Sequence, residues 1–181
     1  RRKCIPLISI LMFKRIYFLT PIFISVFFCA SFASSVKQPD FSGQFYPSGK
    51  DELARMIGQF LDNAKADSSS ENPLILLVPH AGYGFSGQTA AFGYKSIKGK
   101  DYKTVIILGT SHHKAFNGAA LYGKGAFVTS LGQVNIDESF SDKLLSKETE
   151  FFQDASAFKN EHSVEVQLPF LQKVLKDFKI V

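Results

Sequence analysis

All four histidines of this 181-residue chain fall in three short clusters. His80 stands in Pro79-His80-Ala81-Gly82-Tyr83, His112 and His113 in Gly109-Thr110-Ser111-His112-His113, and His162 in Asn160-Glu161-His162-Ser163. Imidazole is both a proton carrier near neutral pH and the commonest ligand for protein-bound transition metals. His80 and the His112-His113 pair each follow an apolar run, Leu74–Val78 and Thr104–Leu108, that reads as a buried strand. Strands about 4.8 Å apart, each offering an imidazole that bonds a metal at about 2.0–2.1 Å, can meet on one ion. Successive side chains alternate in an extended segment, so His112 and His113 are not both expected to point inward. His113 is read as the inward, metal-directed residue, and His112 as a backing hydrogen-bond donor or a surface residue. A lone histidine after a strand is more often a hydrogen-bonded turn residue. The joint pattern of His80 with Ser111-His112-His113 reverses that preference.

His162 opens a predicted helix, where the helix dipole favours a neutral imidazole. A neutral ring there can donate to a substrate oxygen or move a proton, which makes His162 the candidate catalytic residue. A capping histidine is an equal alternative. Gly82-Tyr83-Gly84-Phe85-Ser86-Gly87 lacks the dinucleotide-binding register, and Ser86 is read as a helix cap. Tyr83 and Phe85 either line a pocket or pack in the core. No serine occupies a G-x-S-x-G elbow, which argues against a serine-triad hydrolase.

The elements that must position these residues follow from periodicity. Asp51–Ala64 has helical spacing, with Leu53, Met56, Ile57, Phe60 and Leu61 on one face. Lys65–Asn72 is a polar loop. Leu74–Val78, between Pro73 and Pro79, suits a strand covered on both faces. Ser86–Ile97 is a helix whose Ala90, Ala91 and Gly93 permit close packing, and Thr104–Leu108 completes a βαβ unit with neighbouring parallel strands. Ala119–Tyr122 is a short strand and Ser139–Ser146 a helix. Ser163–Asp177 is amphipathic, with Pro169 either kinking it or setting its first turn. The expected class is α/β, a mainly parallel sheet flanked by helices.

Composition divides the chain. Five of the 21 Lys and Arg lie in residues 1–33, and the remaining 16 balance the 16 Asp and Glu, all of which come later. Residues 34–181 are therefore formally neutral, which removes the basic patch that a nucleic-acid partner would need. Residues 1–33 read as a signal peptide. Early positive charge is followed by the apolar stretch Ile16–Phe28 and a small-x-small site, Ser31-Phe32-Ala33, with Met12 a natural start. The expectation is an exported protein, periplasmic or extracellular, with no stable membrane association once cleaved. An uncleaved membrane anchor is the alternative. Both cysteines, Cys4 and Cys29, belong to this leader, so residues 34–181 offer no disulfide or thiolate. Asp177–Val181 reads as a helix end running into the start of a strand, and the expectation is that 34–181 is the N-terminal part of a longer α/β domain.

Four motifs in order carry a family resemblance: Gly43-Gln44-Phe45-Tyr46-Pro47, Pro79-His80-Ala81-Gly82-Tyr83, Leu108-Gly109-Thr110-Ser111-His112-His113, and Glu161-His162-Ser163-Val164-Glu165-Val166-Gln167-Leu168-Pro169. Together, over residues 40–181, they resemble the MEMO-like family, also called AmmeMemoRadiSam system protein B. That family is similar in fold to the class III extradiol dioxygenases, which bind non-haem iron(II). The resemblance implies His80 and His113 as metal ligands and His162 as a pocket histidine. It also implies a third ligand, a cysteine, and an aspartate–histidine segment that this chain does not contain.

Three functions follow as expectations. The first is a metal-dependent redox protein using iron(II) or copper, whose open coordination positions suit dioxygen or an aromatic diol. The second is a non-catalytic module that retains the pocket and recognises a small molecule or peptide. The third is a metal-assisted hydrolase with Glu161 or Glu165 as base.

Overall fold

Leu53, Ile57 and Leu61 recur every four residues, and this spacing gives one helix a continuous apolar stripe. In a computed structural model, which describes residues 35–65, 72–147 and 149–181, that helix is α1 (Lys50–Asn63), with all three side chains fully buried. Asp51 and Glu52 occupy its first turn, where acidic groups complement the helix dipole. The expected leader, with Cys4, Cys29 and the Met12 start, and most of the Lys65–Asn72 loop lie outside the described residues. Among the described residues no helix is long and apolar enough to cross a membrane.

Helix α2 (Tyr83–Ser96) packs on α1 at small residues. A Cβ at Gly87 would collide with the Phe60 ring, and one at Gly93 would sit 2.7 Å from Val78. The third helix of this layer, α4 (Leu168–Val174), carries Pro169 in its first turn. There the missing N–H costs nothing, so Pro169 starts the helix rather than kinking it. Phe170 stacks on Tyr94 with ring centroids 4.9 Å apart, joining α4 to α2. Helix α2 begins three residues before its expected start. Its N-cap is Gly82, while Ser86 lies inside the helix and donates to the carbonyl of Ala81 at 3.0 Å. The expected cap is therefore a side chain bonding back into the preceding turn.

The strands are short. β2 (Thr104–Val105) pairs in parallel with β7 (Lys179–Ile180), and the ladder continues through Ile107 N–H to the Val181 carbonyl at 2.9 Å. β3 (Ala119–Leu121) pairs in parallel with β6 (Phe151–Gln153). β1 (Val36–Lys37) lies parallel to β4 (Ala126–Thr129), which forms an antiparallel hairpin with β5 (Gly132–Asn135). Helix α3 (Glu138–Lys147) follows the hairpin. The result is the expected α/β class with mainly parallel pairing; among the described residues only the β4–β5 pair runs antiparallel.

The run Leu74–Val78 departs from expectation. It is extended, but it makes no strand ladder among the described residues. Leu76 and Val78 pack on the α1–α2–α4 core beside Val105 and Ile107. Leu74, Ile75, Leu77 and Leu108 are 94, 87, 99 and 88% exposed. One face of this layer is thus covered and the other is bare. A continuous apolar run predicts burial on both sides and cannot say whether a second cover is present.

Candidate metal centre

Three loops converge at the ends of the core elements. The first leaves Val78, which is anchored against Gly93, and carries His80 into the glycine turn before α2. The Tyr83 amide donates to the Phe45 carbonyl at 2.7 Å, tying that turn to the leading segment at residues 41–46. The second loop leaves Ile107 and passes Ser163 so closely at Gly109 that a side chain there would overlap the serine hydroxyl. Ser163 Oγ donates to the Thr110 carbonyl at 2.9 Å, which fixes the approach of His112. The third loop, Asn160–Val164, carries His162. Asn160 adopts φ 54° there, and its amide donates to Asp40 Oδ2 at 2.6 Å.

These loops bring together His80, His112 and His162. One ring nitrogen from each lies within 4.8 Å of the others. The His112 and His162 rings stack at 4.4 Å and 18°, and His80 lies 5.4 Å from the first and 5.8 Å from the second. His113, the expected inward residue, is exposed, with its ring 6.5 Å from that of His112. The strand alternation used to choose between the two does not reach them. The ladder ends near Ile107, and the chain bends at His112-His113. The side that His112 takes is set instead by a carboxylate.

That carboxylate is Glu161, whose side chain is 5% exposed. It accepts the backbone amide of His112 at 2.7 Å, the amide of Ser163 at 2.8 Å, and a contact from His112 Nδ1 at 2.9 Å. Burial pushes its pKa up, but the two amides and the His112 ring outweigh this and hold it at about 2. Glu165 does comparable work one turn on. It accepts the amides of Asp40 and Phe41 at 2.8 and 2.9 Å and the Tyr46 hydroxyl at 2.8 Å. This clamp presses Phe41 and Phe45 against His162, at 5.3 and 4.7 Å between ring centroids.

His162 is not at a helix start. Its carbonyl accepts from the Val166 amide in a turn that leads into a short 3-10 helix (Glu165–Gln167), and α4 begins only at Leu168. Its pKa is lowered nonetheless, first by burial and then by the neighbouring His112, with Glu161 opposing. The neutral ring expected from a helix dipole therefore has a different cause. Tyr83 is core, its hydroxyl donating to the Val166 carbonyl at 2.8 Å, and Phe85 is 93% exposed.

The donor set fits a transition metal. Three imidazoles without a thiolate suit iron, copper or zinc, and the lowered pKa keeps His162 in the neutral form that coordinates. Bonds of about 2.1 Å allow nitrogens at most about 4.2 Å apart, so little ring movement closes the set. A shallow opening at His80 and His162 is walled by Leu77, Val78, Pro79 and Ala81. A more enclosed apolar cavity of about 180 Å³ lies behind Glu161 and Ser163, away from the three rings. The candidate metal group opens onto the first, and no imidazole lines the second.

Sequence reasoning named Glu161 and Glu165 only as possible bases and gave Phe41 no role. Each glutamate accepts hydrogen bonds from three donors of its own chain, so both hold the loops in place. The usable signal was their position, at −1 and +3 from His162.

Comparison with known proteins gives a consistent result. A family model described as "Memo-like protein" matches residues 37–181. A MEMO1 family protein of Methanobrevibacter smithii is 34% identical over 156 residues, covering 81% of this chain and 55% of the relative. One from Thermotoga neapolitana is 37% identical over 157 residues, covering 81% and 56%. One from Methanopyrus kandleri is 40% identical over 146 residues, covering 76% and 52%. The chain spans about half the length of the curated relatives it matches.

Proposed function

This chain belongs to the Memo-like protein family, and on that premise we propose that it is a metal-binding redox protein holding iron(II) or copper on His80, His112 and His162. The observation that carries this is the convergence of three imidazole nitrogens within 4.8 Å, from loops far apart in sequence. When bound, such an ion supplies one-electron exchange and open positions for a substrate oxygen. The chain's own residues supply the rest. Phe41 and Phe45 pack against His162 and shield one side of it from water. The leader read at residues 1–33 supports an exported location.

The test is metal analysis of protein purified without oxygen. Stoichiometric iron or copper is expected in the wild type and in His113→Ala. It should be lost from His80→Ala and His112→Ala. Equal metal content in the His80→Ala/His112→Ala double variant would refute the reading. A metal-free protein that still binds a small molecule or peptide at this opening would favour the non-catalytic module instead.

A further inference from the structure

We propose that Glu161 is the positioning residue of the centre, fixing His112 as the Nδ1–H tautomer so that Nε2 is the nitrogen presented to an ion. The inference rests on the metal reading above and adds which atom of His112 serves it. A carboxylate is acceptor-only, so the 2.9 Å contact between Glu161 Oε1 and His112 Nδ1 requires the proton to sit on Nδ1. A neutral imidazole carries one proton, and Nε2 is then left bare.

The geometry makes this more than a surface ion pair. The same carboxylate takes the His112 amide on Oε2 and the Ser163 amide on Oε1, so backbone and ring of His112 are held by one buried group. His162 is in the same loop as Glu161, yet its Nδ1 lies 3.9 Å from Oε1, beyond hydrogen-bond reach. Among the described residues no hydrogen bond reaches a ring nitrogen of His80 or His162. Glu161 therefore discriminates among the three imidazoles and orients only one. A carboxylate needed simply to join the two loops would be satisfied by the two amides. The ring contact is the part that a purely structural role leaves unexplained.

The experiment uses the full-length protein, metal-free and then titrated with Co2+ alone. Long-range proton–nitrogen NMR correlation reads the His112 tautomer, and the Co2+ absorption spectrum reads affinity. The wild type should show His112 as Nδ1–H. Glu161→Ala should shift it to the Nε2–H form usual for an unconstrained ring and weaken Co2+ binding about 10–100-fold, the range seen when a hydrogen bond behind a metal ligand is removed. An Nε2–H tautomer in the wild type overturns the proposal, and that outcome is readable even if the Ala variant does not fold. So does a folded Glu161→Ala protein that keeps Nδ1–H and its Co2+ affinity. A wild type with His112 as Nδ1–H that binds no Co2+ would instead refute the metal reading while supporting the hold of Glu161 on the ring.

Discussion

Tyr46 donates a 2.8 Å hydrogen bond to Glu165 across 119 positions of sequence, and both residues are buried. Burial, and then the adjacent Glu165 charge, push the phenol well above its ordinary pKa. Glu165→Ala would strip an acceptor from this hydroxyl and from the Asp40 and Phe41 amides together. Losing an acceptor that serves several part-buried donors should cost about 2–4 kcal/mol. A lowered urea midpoint with faster proteolysis within residues 35–46 is expected, and an unchanged midpoint would show that the clamp contributes little.

Gly109 is the second sensitive point. A Cβ there would meet the Ser163 hydroxyl and Val164 Cγ2, and the hydroxyl is already committed to Thr110. Gly109→Ala should destabilise by about 1–3 kcal/mol, the usual range for overpacking. It should also shift the NMR amide signal of His112, because the loop that meets Glu161 is displaced. Thermal melting together with that amide signal checks both.

Acid should weaken the metal-free protein in two stages. The His162 pKa lies below its ordinary 6.5, so between the two values the unfolded chain binds the proton first and stability falls as pH drops below 6.5. Glu161 is depressed from 4.5 to about 2, so its contribution is complete above pH 4.5 and disappears as pH falls toward 2. Urea unfolding across this range should show both losses. A flat response between pH 6.5 and 4.5 would contradict the first.

The parts of the site that were legible in the sequence are those fixed by local chemistry. Helical spacing placed α1 to within a residue, and the clustering of histidines marked the three converging loops. Pro169 narrowed α4 to two possibilities, of which the structure takes the helix start. That His112, rather than His113, lies beside His80 and His162 was not legible. Alternation holds only while a strand continues, and here a carboxylate 49 positions away holds the partly exposed His112 ring beside those of His80 and His162. The β4–β5 hairpin was missed because its turn lacks an Asn-Gly or Asp-Gly pair. Only Gly132, at φ 130°, betrays it. The bare side of Leu74–Val78 was invisible because covered and uncovered faces are written in the same apolar residues.

Ser141 is fully buried, and its hydroxyl has no hydrogen-bond partner among the described residues. It borders the apolar cavity behind Glu161. A buried hydroxyl without a partner costs about 1–3 kcal/mol of desolvation. Ser141→Ala should therefore be neutral or raise stability by about 1 kcal/mol, read as an upward shift in Tm. A clear loss of stability would mean that this oxygen is bonded in solution.

The exposed row of Leu74, Ile75, Leu77 and Leu108 also bears on calorimetry. These side chains are hydrated before the chain unfolds, so melting adds almost no new water around them. The heat-capacity increment of unfolding should accordingly fall below the usual figure of about 12–15 cal/mol/K per residue. The stability curve of residues 34–181 by themselves should be correspondingly flatter.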